Sequence, residues 1–346
     1  MTLILFSFDN ALTIILNISC ICASRLDNTT VIVYRKHGKK NLYPIQGVGM
    51  KRSLFFIPFI LAALSLMQVQ SAFSLSQKAF PAKACILIDD HGMVLYEKNS
   101  STKLPPASTV KLMTAMVALD NLRTDMIVMV GSKAAAVRSI KPRLQTGDEM
   151  TVSDLLHLAL MKSINAAAVA LAEAAGGSED QFVDLMNQKA KEIGANDTHF
   201  TNASGLPKGR QYTTVRDLTI ILKKALTYPE IKEIIGKKEY LVRTTAGREL
   251  YVENTDDLLW LRSNMVGGKT GFTRKARHCF VGALDTDHGL FFTAVLGAST
   301  RSGLWKSASL LVDSVTNDQQ GGPYEGFESK KPEYDFIRAF LVEITR

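Results

Sequence analysis

Ser108-Thr109-Val110-Lys111, Ser163-Ile164-Asn165 and Lys269-Thr270-Gly271 follow one another along the chain, and together they hold the residue types of a serine acyl-transfer site with lysine as the base. A serine hydroxyl is a weak nucleophile at neutral pH and needs a proton acceptor within hydrogen-bond reach. On a helix, Lys111 projects over the same face as Ser108, three positions earlier. A serine at a helix N-terminus also sits at the positive end of the backbone dipole. Lysine is a base only when neutral, and burial or a neighbouring cation favours that form. Lys269 is the candidate cation, and Asn165 the candidate partner holding Lys111. Ser163 offers a hydroxyl that can relay a proton to a leaving amine. Backbone N–H groups of Ser108 and Phe272 are candidate oxyanion donors. Lys269 and Thr270, on a strand edge, suit the terminal carboxylate of an extended peptide, and Gly271 permits close approach.

Each motif alone has a plainer account: a capping serine with a solvated lysine, a cap for the next helix, a hairpin strand with an exposed lysine. Ser-x-x-Lys arises by chance roughly once in a chain of this length. Ser100-Ser101-Thr102-Lys103 is such a decoy. Lys-Thr-Gly and Ser-x-Asn each occur once, so the ordered set carries the weight.

The elements that must position these residues are legible from patterning. Residues 83–89 alternate apolar and polar, turn at Asp90-His91-Gly92 and return over 93–97 as a hairpin. A helix opens at Ser108, with Leu112, Met113, Met116, Val117 and Leu119 as its apolar stripe. Thr151 to Ser153 cap a helix through 160, and further helices cover 166–175, 179–193 and, capped by Thr214, 215–226. Residues 202–207 form a loop. Strands follow at 269–273, 279–284 and 290–297, the last two joined by Asp287-His288-Gly289, and a helix covers 304–315. Strands at both ends with helices between them predict an α/β fold of α+β type. Its antiparallel sheet is built from both ends of the domain and flanked by helices, with an all-helical lobe.

The chain has 346 residues, 46% hydrophobic and 21% charged, with a net charge of +8. Residues 1–72 hold seven Lys/Arg and two acids, leaving only +3 for the remainder and no argument for a nucleic-acid partner. Met50 reads as a second beginning. Lys51-Arg52 precede an apolar run over 54–67, broken only by Pro58 and Ser65, and small residues follow at Ser71-Ala72. This is the layout of a signal peptide cleaved after Ser71 or Ala72. Residues 1–49 then read as an extension from a start assigned too far upstream. The alternative is a hydrophobic leader over 3–23, which Asp9, Asn10 and Asn17 interrupt. Cys20 and Cys22 have no metal-type partner, and Cys85 and Cys279 read as buried free thiols. The six histidines show no metal-ligand spacing, and no cofactor is expected. From Asn317 a polar, glycine-rich linker leads to Phe336, Ile337, Phe340, Leu341 and Ile344. These form a short amphipathic tail that docks on the protein itself or touches a membrane.

The three motifs match the set shared by penicillin-binding proteins and class A β-lactamases. Over about 83–315 the chain resembles the low-molecular-mass penicillin-binding proteins, the serine-type D-alanyl-D-alanine carboxypeptidases. Beyond the motifs, the likeness includes PASTVKLMTAMVALD at 106–120, LQTGDEMTVSDLL at 144–156, NASGLP at 202–207 and TVRDL at 214–218. The resemblance implies a β-lactamase/DD-peptidase-like fold and an acyl-enzyme on Ser108, with Lys111 accepting its proton. It implies Ser163 and Asn165 as the second catalytic element, and substrate binding by Lys269 with Thr270, Gly271 and Phe272. The implied substrate is a peptidoglycan stem peptide ending in D-Ala-D-Ala, with β-lactam antibiotics as inhibitors. The location would be the periplasm or the outer face of the bacterial cytoplasmic membrane.

On that resemblance the organisation is an extension over 1–49, a signal peptide over 50–72, a catalytic domain over 73–317, and a linker with a short tail over 318–346. The chain departs from the family at Val110, at Ile164, where a small residue is usual and the pocket could narrow, and at Arg277, where glycine is usual. It departs again at Leu304, where the family places an arginine for the substrate carboxylate; Arg301 is the nearby substitute. Three other activities compete: a DD-endopeptidase cutting cross-links, a β-lactamase, and an impaired peptidoglycan- or penicillin-binding protein. The β-lactamase requires a glutamate-activated water, and no Glu-x-x-Leu-Asn segment lies between Ser163 and Lys269.

Overall fold

The computed structural model describes residues 80–316 in full and, before them, the backbone of four strands: Leu3–Phe8, Ala11–Leu16, Val31–Tyr34 and Lys40–Tyr43. The chain divides into two units, Met1–Ser74 and Leu75–Arg346. In the first unit, Leu3–Phe8 pairs antiparallel with Ala11–Leu16 and parallel with Val31–Tyr34, which pairs with Lys40–Tyr43. The apolar stretch weighed as a leader thus carries strands. The expected signal peptide, the linker and tail, and Cys20 and Cys22 lie outside the described residues.

The second unit is built on a five-stranded antiparallel sheet. Its strands are β1 (Ala84–Asp89), β2 (Val94–Lys98), β7 (Met265–Thr273), β8 (Arg277–Thr286) and β9 (Gly289–Ala298), in the order β7-β8-β9-β1-β2. Both ends of the domain therefore meet in one sheet, as the sequence predicts. Alternation along β8 shows why the sheet is covered on both faces: Cys279, Val281 and Ala283 join one apolar cluster, Phe280 and Leu284 the other. Helix α6 (Val215–Ala225) packs on the first face and α9 (Arg301–Asp313) on the second, where Trp305 meets Phe280 edge-on at 5.1 Å. Burying each such large side chain contributes roughly 1.5–3 kcal/mol.

The helical lobe holds α1 (Lys111–Asn121), α2 (Ser132–Ala136), α3 (Val152–Leu160), α4 (Asn165–Gly176) and α5 (Glu179–Glu192). α1 is buried along its first eight residues and packs on α3, α4, α5 and α6, so it links the lobe to the sheet. Two caps fall as the sequence predicts, the hydroxyls of Thr151 and Thr214 accepting from the N–H groups of Asp154 and Asp217, and Ser178 adds a third by accepting from Gln181 N–H. Two expectations shift. Ser108 lies in a 3-10 turn, Ala107–Val110, ahead of the α-helix. The last helix opens at Arg301, because Thr300 caps it through Gly303 N–H.

The patterning left several elements undrawn. These are helix α2, the strand pair β3 (Ile127–Met129) with β4 (Glu149–Thr151), helix α7 (Pro229–Gly236), the hairpin β5 (Glu239–Arg243) with β6 (Glu249–Glu253), and α8 (Asp257–Leu261). All are short and half-exposed, so their apolar periodicity is faint.

Candidate active site

The turn ahead of α1 brings the candidate nucleophile and its candidate base together. Pro105-Pro106 lead into Ala107, whose φ of 50° lies in the left-handed region, and the Thr109 hydroxyl donates to Pro106 O at 2.8 Å. In a 3-10 turn, residues three apart eclipse. Lys111 Nζ accordingly stands 2.9 Å from Ser108 Oγ. The expected α-helical opening at Ser108 is thereby corrected to a 3-10 turn that leads into the helix at Lys111.

Lys111 is completely buried, and its amine has two further partners, Asn165 Oδ1 at 2.7 Å and Ser204 O at 2.6 Å. Both are acceptors only. A neutral amine has two N–H groups and one lone pair. Giving the two hydrogens to Asn165 and Ser204 turns the lone pair toward the Ser108 hydroxyl. Burial, reinforced by the charge of Lys269, holds Lys111 well below the ordinary lysine range.

Asn165 opens α4. Its Nδ2 donates to Arg138 O at 2.7 Å and its backbone N–H to Ser139 Oγ at 3.0 Å, which fixes the amide with Oδ1 toward Lys111. Ser163 sits in the short link between α3 and α4 with φ 65°, half-buried. Its hydroxyl bonds to no other described residue. Ile164 is fully buried in the core cluster, so its bulk packs inward and does not narrow the cleft.

The loop at 202–207 supplies parts the sequence reading left without a role. Asn202 Oδ1 accepts from the N–H groups of Ser204 and Gly205, at 3.2 and 2.7 Å, and buckles the loop so that Ser204 O meets Lys111. Thr114 Oγ1 ties Ala203 O to α1 at 2.7 Å. Gly205, with φ +82°, lies so close to the nucleophile turn that a Cβ there would fall 2.0 Å from Ala107 O. The signal that could have found this loop is Asn-x-Ser-Gly, an Asx-turn pattern.

β7 is an outer strand of the sheet, so one side of its backbone is free to pair with an extended chain. Lys269 is completely buried on it, not an exposed hairpin lysine; its Nζ donates to Thr270 O at 2.9 Å. Burial brings Lys269 down to about 7, opposed in part by Asp256. Asp256 is likewise buried and pushed up to about 7 by that burial. Its Oδ1 caps α8, while Oδ2 has no hydrogen-bond partner. Thr270 Oγ1 meets Thr255 Oγ1 at 2.5 Å, tying β7 to the segment before α8. Gly271 backs onto the nucleophile: a Cβ there would lie 2.7 Å from Ser108 N. The close approach expected of substrate is thus first an approach of the protein's own turn. Phe272 is half-exposed and rests on His278, ring centres 4.5 Å apart.

The candidates for the carboxylate site divide. Leu304 is buried beside Trp305. Arg301 is exposed but held by Asp257, with Nη2 2.8 Å from Oδ1. Arg277 has φ 64° and donates to Ser299 O at 2.7 Å. Cys85 and Cys279 are free, buried thiols.

Residues 71–300 match the sequence pattern of the D-alanyl-D-alanine carboxypeptidase family. D-alanyl-D-alanine carboxypeptidase DacF of Bacillus subtilis is 36% identical over 231 residues, 65% of this chain and 59% of that protein, so the chain spans about three fifths of its length. A D-alanyl-D-alanine endopeptidase of Pseudomonas aeruginosa is 35% identical over 214 residues, 60% of this chain and 68% of that protein. Among solved structures, a D-alanyl-D-alanine carboxypeptidase from Mycobacterium tuberculosis superposes with a TM-score of 0.66 at 33% identity, covering 70% of this chain and 93% of that one.

Proposed function

Since the chain belongs to the D-alanyl-D-alanine carboxypeptidase family, we propose that Ser108, Lys111, Ser163 and Asn165 remove the terminal D-alanine from peptidoglycan stem peptides through an acyl-enzyme. The observation that carries the proposal is the fully buried Lys111 amine, 2.9 Å from Ser108 Oγ, with its other bonds made to two pure acceptors.

The carbonyl joining the last two D-alanines lies over Ser108. As the Oγ–C bond forms, the hydroxyl proton passes to Lys111, and the carbonyl oxygen takes up negative charge. The N–H groups of Ser108 and Phe272 are the donors assigned to it. Collapse breaks the C–N bond, and the leaving amine takes the proton from Lys111, with the Ser163 hydroxyl as relay. A water then adds to the ester and gives its proton to Lys111. Collapse returns a proton to Ser108 Oγ and frees the shortened peptide. Lys269 and Thr270 take the terminal carboxylate, Gly271 and Phe272 line the strand edge, and Arg301 is the reserve cation of that site. A β-lactam enters as a mimic of the terminal pair and stays attached after its ring opens.

Release of D-alanine from a pentapeptide, and labelling by a fluorescent penicillin, test this with wild type and Ser108→Ala. Loss of both signals in the variant is expected. Labelling that survives the substitution would sink the assignment. The relative named an endopeptidase supports a second reading, cleavage of cross-links, and a dimeric peptide as alternative substrate separates the two. Export belongs to the proposal, supported by the apolar run over 54–67 behind Lys51-Arg52. N-terminal sequencing of the secreted protein should begin at Ala72 or Phe73. The tail over 318–346 is assigned as its contact with the membrane surface or with the domain itself.

A further inference from the structure

We propose that Thr255 is a positioning residue for the terminal carboxylate: its hydroxyl donates to Thr270 Oγ1 and so turns the Thr270 hydrogen toward the substrate. This deepens the proposed function and rests on its assignment of the carboxylate to Lys269 and Thr270.

Thr255 stands in the link between β6 and α8, and the residue before it fixes that link. Asn254 is buried; its amide donates to Ile235 O at 3.0 Å and to Lys237 O at 2.9 Å, while its Oδ1 accepts from Asp256 N–H at 3.0 Å. The Thr255 N–H donates to Met161 O at 3.1 Å. Its hydroxyl lies 3.2 Å from that same oxygen and 2.5 Å from Thr270 Oγ1. Met161 is two positions ahead of Ser163, and Lys162 pairs with Glu253 at 3.9 Å beside it. One residue therefore bonds both to the strand assigned to the substrate and to the link that carries Ser163. Threonine suits the place, because β-branching leaves its χ1 few choices.

The hydrogens decide what this contact does. Each hydroxyl has one hydrogen and two lone pairs. In one arrangement Thr255 gives its hydrogen to Met161 O and receives that of Thr270. Thr270 then shows a carboxylate only lone pairs, which repel it. In the other, Thr255 gives its hydrogen to Thr270, whose own hydrogen is free for the carboxylate. Met161 O keeps the Thr255 N–H in that second arrangement, so no buried acceptor is stranded. Two hydroxyls in series also polarise one another toward a charged acceptor. Both threonines are half-buried, so the chain of bonds ends at the surface of the cleft. Lys269 keeps one N–H on Thr270 O at 2.9 Å. The lysine supplies charge, and the hydroxyl pair supplies direction.

Thr255→Val keeps the shape and removes the hydroxyl, whereas Thr255→Ser keeps the hydroxyl and removes the methyl. The test measures kcat and KM for a pentapeptide ending in the free acid and for the same peptide ending in the carboxamide. In the Val variant, KM for the acid should rise about tenfold, the size expected for weakening one hydrogen bond to a charged group, with kcat close to wild type. The carboxamide should lose much less, since a neutral carbonyl is the weaker acceptor. Ser should restore wild-type values. In a Thr270→Val background, adding Thr255→Val should raise KM for the acid no further, because the first residue acts through the second. Should Val lose the fold, Thr255→Ala carries the same comparison. Equal losses on both substrates, no loss on either, additive losses in the double variant, or Ser behaving as Val overturn the positioning role alone. Wild type that treats acid and carboxamide alike removes the carboxylate site and this inference with it. Wild type that releases no D-alanine removes the proposed function itself.

Discussion

Gly271 and Ser108 are in backbone contact: a Cβ on Gly271 would lie 2.7 Å from Ser108 N and 3.2 Å from Thr109 N. The third neighbour is Ala107 Cβ at 3.0 Å, and neither main chain nor a Cβ can swing aside. Gly271→Ala should displace the nucleophile turn by a fraction of an ångström or more. Misplacement on the order of 1 Å costs roughly 100-fold in rate. Stopped-flow acylation by penicillin should show a loss approaching that size, with only a few degrees lost in melting temperature. A rate near wild type would mean the turn has slack the geometry does not suggest.

Asn165→Asp keeps the shape of the side chain but sets a carboxylate beside the buried Lys111 amine, now 2.7 Å from Oδ1. An adjacent anion favours charged lysine, so the Lys111 pKa rises. Activity in the variant should be low at neutral pH and recover as pH rises, moving the acid limb of kcat/KM to higher pH. An acid limb at its wild-type position would show that Lys111 is not the titrating base.

Lys269 loses its charge in the free protein as pH passes about 7. KM for a peptide with a free terminal carboxylate should therefore climb on the alkaline side, while a substrate with that carboxylate amidated should show a flatter profile. Parallel profiles would remove Lys269 from carboxylate binding.

Asp256→Asn separates charge from capping, since Asn caps helices as well as Asp. The acid raises the Lys269 pKa, so its removal should shift the KM transition to lower pH. Stability gives an independent reading. Asp256 is raised from 3.8 to about 7, so the folded state holds that proton where the unfolded chain has lost it. Its stabilising contribution is complete at low pH and is lost as pH rises through that window. The difference in melting temperature, variant minus wild type, should accordingly grow in the variant's favour between pH 4 and pH 7. A constant difference would mean that Asp256 does not titrate there.

Burial pushes the thiols of Cys85 and Cys279 up to about 12. Both should resist a disulfide-exchange reagent at pH 8 in the folded protein and react within seconds once it is denatured. Rapid labelling of the native protein would show one of them to be accessible.

Spacing and residue type were enough to pick out the candidate nucleophile, its lysine and the strand lysine that the structure gathers, because a hydroxyl three positions before a lysine must share its face in any helical turn. Periodicity and caps were enough for the long elements, α1, α5 and α6, and for an antiparallel sheet drawn from both ends. Tertiary structure alone decided the rest. That Ser204 O closes the amine's third bond depends on a loop 93 residues away from Lys111. That Lys269 is buried and faces Asp256, or that Ile164 turns into the core, depends on packing that no local pattern encodes. Local patterns set which residues can react, whereas the protonation state that makes lysine a base comes from desolvation, a property of everything packed around it.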